Sequence, residues 1–266
     1  MGYIRCAVKN SFKSLTTYRT FTVVAIISSV FGLLIQIAIW KALYNGQNVV
    51  HTESNQIYLS DMIQYAVFSM LISILINNSA TSNIEKRISS GQVSIDFIRP
   101  VGFALQITCS EIANVLFNFL FTFIPMGIIS ILIVGIKVFK ISHVGWFILT
   151  LVNSIVLFYL INYMIGLLSI WFITIWPLNQ VLDGVIKLIS GALIPLWFLP
   201  KTIYTIASFL PFRLIYYFPI TICLGKTDTH EMFEGIAIQY IWILILFVIC
   251  VVIWNRGSKK LTVQGG

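Results

Sequence analysis

Long apolar runs separated by short polar stretches set the pattern of this chain. Residues 20–40, 62–84, 112–136, 141–182 and 235–255 contain no Asp, Glu, Lys or Arg, and 188–225 is interrupted only by Lys201 and Arg213. A helix crosses a bilayer with about 20 apolar residues, so each run is long enough. The strand alternative needs about 10 residues of alternating apolar and polar positions per crossing. A run such as FTVVAIISSVFGLLIQIAIW has no such alternation. The pattern predicts an all-α integral membrane protein, a single transmembrane domain over 1–266.

Finer punctuation divides the runs into six spans at about 21–40, 58–80, 103–136, 144–174, 178–199 and 235–254. The run from Ile141 to Leu182 would be about 63 Å long as one straight helix and must break. The break is expected at Trp176-Pro177-Leu178-Asn179, because proline disfavours helix at the residue before it and cannot continue the ladder. Between 195 and 219 four prolines (Pro195, Pro200, Pro211, Pro219) leave apolar pieces too short to cross. Residues 200–225 are therefore expected to dip into the membrane and return.

Two segments are amphipathic. Residues 4–19 put Ile4, Ala7, Val8, Leu15 and Tyr18 on one helical face and Arg5, Lys9 and Lys13 on the other, the pattern of a helix lying in the membrane interface. The polar first twenty residues before a full-length span are not a cleavable signal peptide. Residues 84–100, IEKRISSGQVSIDFIRP, carry charge between two apolar runs. Ser82 with Glu85 three residues later fits a capping box and predicts a helix over 82–99. Ile84, Ile88, Gly91, Ile95 and Ile98 fall within an arc of about 80°, and Arg99-Pro100 ends the helix. Periodicity alone allows either a solvated loop helix with membrane-facing isoleucines or a docking helix for another protein.

Only 10% of residues are charged and 58% are hydrophobic, with a net charge of +8. That excess points to an anionic membrane surface, and no nucleic-acid-binding motif is present. The expected inside segments hold Arg5, Lys9, Lys13, Arg19, Lys86, Arg87, Arg99, Arg256, Lys259 and Lys260; the expected outside holds Lys41, Lys137, Lys140, Lys201, Arg213 and Lys226. Basic residues favour the cytoplasmic side, so both termini are expected there. Four cysteines at wide spacing and three isolated histidines (His51, His143, His230) suggest neither disulfides, metal nor a hydrolase. Gly225-Lys226-Thr227 imitates the end of a P-loop, but Ile220 stands where its first glycine belongs. No catalytic residue and no bound cofactor is expected.

Polar residues inside spans are costly and therefore informative. Glu111, Asn114, Asn118 and Thr122 form one helical stripe; Gln180, Asp183, Lys187 and Ser190 form another. Both begin on the expected cytoplasmic side. Glu111, Asp183 and Lys187 are expected to meet in one buried ionic cluster, either as structural neutralisation or as a substrate contact. Aromatics crowd the proline-cut segment, read either as an interfacial belt or as an outer gate made by Phe198, Phe209, Phe212 and Tyr216.

The order of these segments resembles the ABC type-2 permeases, as do Ser90-Gly91 with Arg99-Pro100, the run Ser190 to Leu196 through Phe198-Leu199-Pro200, Leu210-Pro211-Phe212, Phe218-Pro219 with Leu224-Gly225-Lys226, and the terminal Val263-Gln264-Gly265-Gly266. The branch resembled contains paired six-span permeases, some named after viologen or drug export. The resemblance implies a partner ATPase dimer that binds ATP and Mg, and a second permease, a paralogue or the same chain. It makes 84–99 the coupling helix, with Ile84, Glu85, Lys86, Arg87, Ile88, Asp96 and Arg99 as contacts. It places Gln36, Gln64, Asp183 and Lys187 beside the path, and implies a permease exporting a hydrophobic or amphiphilic substrate (drug, lipid or peptide) across a bacterial plasma membrane. The alternatives are an ATP-independent transporter or channel, which would need an internal inverted repeat not visible here, and an immunity-type membrane protein.

Overall fold

The computed structural model describes residues 2–16, 19–51, 56–77, 79–98, 101–135, 141–172 and 174–264. Helix α1 (Gly2–Thr16) leads into α2 (Arg19–Leu43). A small antiparallel ribbon follows, β1 (Val49–His51) with β2 (Gln56–Tyr58), in register Val50 with Ile57. It is the one departure from an all-helical chain among the described residues. Next come α3 (Leu59–Ile76), α4 (Ala80–Ser89) and α5 (Gln92–Ile98). Helix α6 (Phe103–Asn118) passes through a π-helical turn, Phe119–Phe123, into α7 (Ile124–Val134). The turn precedes Pro125, which has no N–H to give to the carbonyl four residues back. Helices α8 (Ile141–Leu167), α9 (Trp176–Ile189), α10 (Lys201–Phe209), α11 (Tyr217–Cys223) and α12 (Thr229–Gln264) complete the chain.

The core lies between α3 and α8. Tyr65, Val67, Phe68, Leu71 and Ile72 from α3 pack with Leu157, Phe158, Ile161 and Ile165 from α8, all buried. Helix α12 runs along α8, and α4 sits across the end of α8. There Gly166 is essential, because a Cβ on it would lie 2.8 Å from Ile84 Cδ1 and 3.2 Å from Thr81 Cα. Thr81 Oγ1 secures the contact by donating to the Asn162 carbonyl at 2.9 Å. A second buried set holds the chain after α10. Gln239 Nε2 donates to the Leu214 carbonyl at 3.1 Å and the Thr150 carbonyl at 3.2 Å, while Asn153 Nδ2 donates to Gln239 Oε1 at 3.2 Å.

Among the described residues, five helical stretches are long and apolar enough to cross a membrane: Thr20–Leu43, Leu59–Ser89, Phe103–Val134, His143–Ile170 and Thr229–Lys260. A sixth is available if Lys201–Phe209 and Pro211–Cys223, bent by 80°, count as one broken span rather than a re-entrant loop. The stretch expected as the fifth span, 178–199, differs from expectation. Helix α9 has 14 residues, about 21 Å at 1.5 Å per residue, and stops before Gly191, whose φ of +83° is left-handed. The break before it also moves. The short 3₁₀ turn after α8 ends at Ile170 and α9 starts at Trp176, with Pro177 inside it, since proline is well accommodated in a first helical turn.

Hydroxyls of α3 satisfy the carbonyls freed beyond α9. Tyr65 Oη donates to the Gly191 carbonyl at 2.7 Å, Ser69 Oγ donates to the Ala192 carbonyl, and the Tyr217 N–H donates to the Ser190 carbonyl at 3.1 Å. Irregular backbone at membrane depth needs such partners.

The amphipathic α1 packs along α6, with Phe12 edge-on to Phe117 at 5.8 Å. Tyr18 lies outside the described residues, as do Arg99 and Pro100.

Candidate functional site

A cavity of about 690 Å³ opens between α2, α3, the π-turn, α8 and α9. Of the residues expected along the path, Gln36, Asn118, Asp183 and Lys187 line it; Gln64, Glu111 and Asn114 do not. Its other polar walls come from Ser69, Ser73 and Asn77 along α3 and its end, Asn162 on α8 and Asn179 on α9. On α9 the stripe that faces the cavity is Asn179-Asp183-Lys187, and the expected Gln180 is exposed off it. Lys187 Nζ pairs with Asp183 Oδ2 at 2.7 Å, with the two side chains 46% and 33% exposed. Aliphatic Ile35, Ile39, Ile74 and Leu193 fill the remaining wall.

The expected ionic cluster of Glu111, Asp183 and Lys187 does not form. Glu111 is buried and turned to α4, where Ser79 Oγ donates to its Oε1 at 2.7 Å and the Ser79 N–H donates to its Oε2 at 3.3 Å. The carboxylate thus accepts at the N-terminus of α4, where free N–H groups and the helix dipole favour an anion. Asn83 Nδ2 donates to Ser79 Oγ at 2.9 Å and so supports that hydroxyl. Asn114 Nδ2 donates to the Asn77 carbonyl at 3.1 Å.

The segment expected as one coupling helix is two. Gly91, with φ of +71°, separates α4 from α5, and the helix starts at Ala80 rather than from a capping box at Ser82. Ser82 Oγ donates back to the Ser79 carbonyl at 3.0 Å, and Glu85 Oε1 accepts from the Ile175 N–H at 3.0 Å. Several of the residues expected as outward contacts are internal. Ile84 is fully buried against Gly166, Ile88 packs on the core, and Arg87 donates to Asp96 Oδ2 at 2.9 Å, stapling α4 to α5. The Asp96 side chain has no exposed surface. Lys86, Ile95 and Ile98 remain outward, Ile98 at 85% exposure.

The four expected gate aromatics are not brought together. Tyr216 is buried, lines the cavity and accepts from Ser73 Oγ at 3.3 Å. Phe198 packs on Trp40 at 5.5 Å, Phe212 packs against the core, and Phe209 is 77% exposed. Beyond them, Lys226 pairs with Asp61 at 2.7 Å and lies 5.0 Å over the Trp197 ring.

Sequence reasoning missed the α3 contribution. Its signal was present in Ser69, Ser73 and Asn77, four apart on one face of an apolar helix.

The fold and the cavity describe an α-helical membrane component with a part-polar cavity between α2, α3, α8 and α9. The family model of the ABC-2 family transporter protein matches residues 54–265, and the chain belongs to that family. Members are membrane components that normally work with a separate ATP-binding subunit. A comparison with curated proteins finds no match.

Proposed function

We propose that this chain is the permease subunit of an exporter in a bacterial plasma membrane, driven by ATP bound with Mg on a cytoplasmic ATPase dimer. Its cargo is amphiphilic, in the class of drugs, lipids and peptides. The observation that carries this reading is the Asp183–Lys187 pair, half-exposed on a helix whose outward residues, Gln180 apart, are apolar: Trp176, Leu178, Val181, Val185 and Leu188. Charged groups are not left against lipid, so this face meets a water-filled path and a second permease, a paralogue or the same chain. The surroundings agree with that role: α2 and α9 leave Phe31, Ile35, Val181 and Val185 exposed on either side of the cavity, and the cavity carries amides and an ion pair beside aliphatic wall.

In this reading both termini and the α4–α5 elbow are cytoplasmic. Helix α9 with the stretch to 199 completes the fifth of six crossings, and α10–α11 form an external re-entrant hairpin. The ATPase grips the outward Lys86, Ile95 and Ile98 of the elbow rather than Glu85, Arg87 or Asp96. The test is chemical access. In a chain carrying Cys6→Ser, the variants Ser73→Cys and Asn179→Cys should react with a charged, membrane-impermeant thiol reagent, against a background of buried Cys109, Cys223 and Cys250. Protection of both positions in every nucleotide state would contradict the path.

A further inference from the structure

Every fully buried side-chain amide among the described residues is paired. Asn153 and Gln239 bond each other, Asn162 Nδ2 donates to the Phe158 carbonyl at 3.0 Å, and Gln106 Nε2 donates to the Val101 carbonyl at 3.0 Å. The half-buried amides that line the cavity between α2, α3, α8 and α9 behave differently. Gln36 on α2, Asn118 at the end of α6 and Asn179 on α9 stand on separate walls and open into it. Among the described residues their side chains have no hydrogen-bond partner. Gln36 and Asn118 belong to helices of crossing length, where an unanswered amide is costly, so the partner is a molecule that enters the cavity. The walls carry no net charge. Asp183 and Lys187 neutralise each other at 2.7 Å, and among the described residues no other charged side chain lines the cavity.

We propose that the cargo is a short, uncharged peptide, and that Gln36, Asn118 and Asn179 select it by hydrogen bonds to its backbone. The inference rests on the reading of this cavity as the export path, and it narrows the cargo from drugs, lipids and peptides to one class. Each amide presents both a donor and an acceptor, the same pair that a peptide group offers in return. An ester lipid offers acceptors alone and leaves the amide oxygens unanswered. An ionised headgroup or a cationic drug finds no unpaired countercharge. Beside the amides stand Ile35, Ile39, Ile74 and Leu193, which suit apolar side chains better than the hydroxyls of a sugar. The volume of about 690 Å³ lies within the range of about 300–1,000 Å³ for pockets that take drug-sized ligands, so a short stretch of peptide fits. Water answers the amides while the path is empty, and a peptide reproduces those bonds when it displaces the water.

The experiment measures binding to the full chain in phosphatidylcholine discs by fluorescence anisotropy, with empty discs as background. Two probes are compared: an acetylated and amidated hydrophobic hexapeptide carrying a fluorophore, and its depsipeptide, in which alternate backbone N–H groups are replaced by ester oxygen. The wild-type chain should prefer the peptide by at least about five-fold, the scale of one neutral hydrogen bond. Asn118→Leu and Asn179→Leu should each remove much of that preference, weakening the peptide and sparing the depsipeptide, whereas Gln180→Leu, outside the cavity, should keep it. A merely structural role would weaken both probes alike, and the wild-type comparison stands even where a variant fails to fold. Freeing both peptide termini should weaken binding, and excess phosphatidylglycerol should leave the probe in place. With Ser73→Cys open to the thiol reagent, three results would each overturn the proposal: equal affinity for peptide and depsipeptide, a preference that survives every amide variant, or displacement by phosphatidylglycerol. Protection of Ser73→Cys and Asn179→Cys would instead remove the path itself, and the proposal with it. Disulfide cross-linking of Asn179→Cys between two permeases, with no peptide preference, would show that protein meets these amides.

Discussion

A buried carboxylate must be partnered, and Glu111 meets that requirement at the N-terminus of α4. Removing it therefore acts on the joint between α3 and α4 and not on the ion pair of α9. Glu111→Ala should lower stability by about 1.5–3 kcal/mol, the range for hydrogen bonds to a charged group, measured by thermal unfolding in detergent. A double-mutant cycle should show Glu111 and Ser79 coupled by more than about 0.5 kcal/mol, while Glu111 and Lys187 should be additive within that margin. The sequence marked Glu111 as costly and hence meaningful, because burial of charge is a property of composition and span length. Its partner was illegible: spacing along a helix fixes a face, not the neighbour opposite that face. The same limit hid Gln239 and Asn153, two amides whose joint role is to hold the Leu214 carbonyl. Gln239→Leu should cost about 1–2 kcal/mol, the scale of hydrogen bonds between membrane helices.

Among elements, the elbow of α4 and α5 is fixed by what α8 permits. Gly166 removes the one Cβ that would push α4 away, and Ile84 fills the space. Gly166→Ala should destabilise the protein, and Ile84→Val, which lacks the Cδ1 nearest that methyl, should restore part of the loss in the same melting assay. Periodicity predicts one apolar face for the isoleucines of 84–98 on a single helix, and the structure divides that face between α4 and α5, with Ile84 buried and Ile95 and Ile98 exposed. Which isoleucines face the protein and which face outward depends on the left-handed Gly91, which turns α5 so that Ile84 is buried and Ile98 exposed. Helix existence was legible from apolar length, as five crossing-length helices attest. The end of α9 was less so. Residues 190–199 are as apolar as a span, and partners distant in sequence, the hydroxyls of Tyr65 and Ser69 and the Tyr217 N–H, stabilise their irregular path.

At the scale of the whole molecule, cavities of different chemistry lie on either side of the α3–α8 core: one mixed, carrying amides, hydroxyls and an ion pair beside the sparsely packed α2 and α9, and one almost wholly apolar, between α6, α8 and α12. Charged thiol reagents should reach Asn179→Cys in the first and leave Leu244→Cys in the second unmodified. In the proposed exporter, energy enters through the outward face of the α4–α5 elbow. The most direct measurement is ATP hydrolysis by the permease affinity-purified from its native membrane. The wild-type chain should carry a stoichiometric ATP-binding subunit and its activity, and Ile95→Glu with Ile98→Glu should release both while leaving the melting temperature unchanged. An ATPase that stays bound and active beside those two glutamates would contradict the claim.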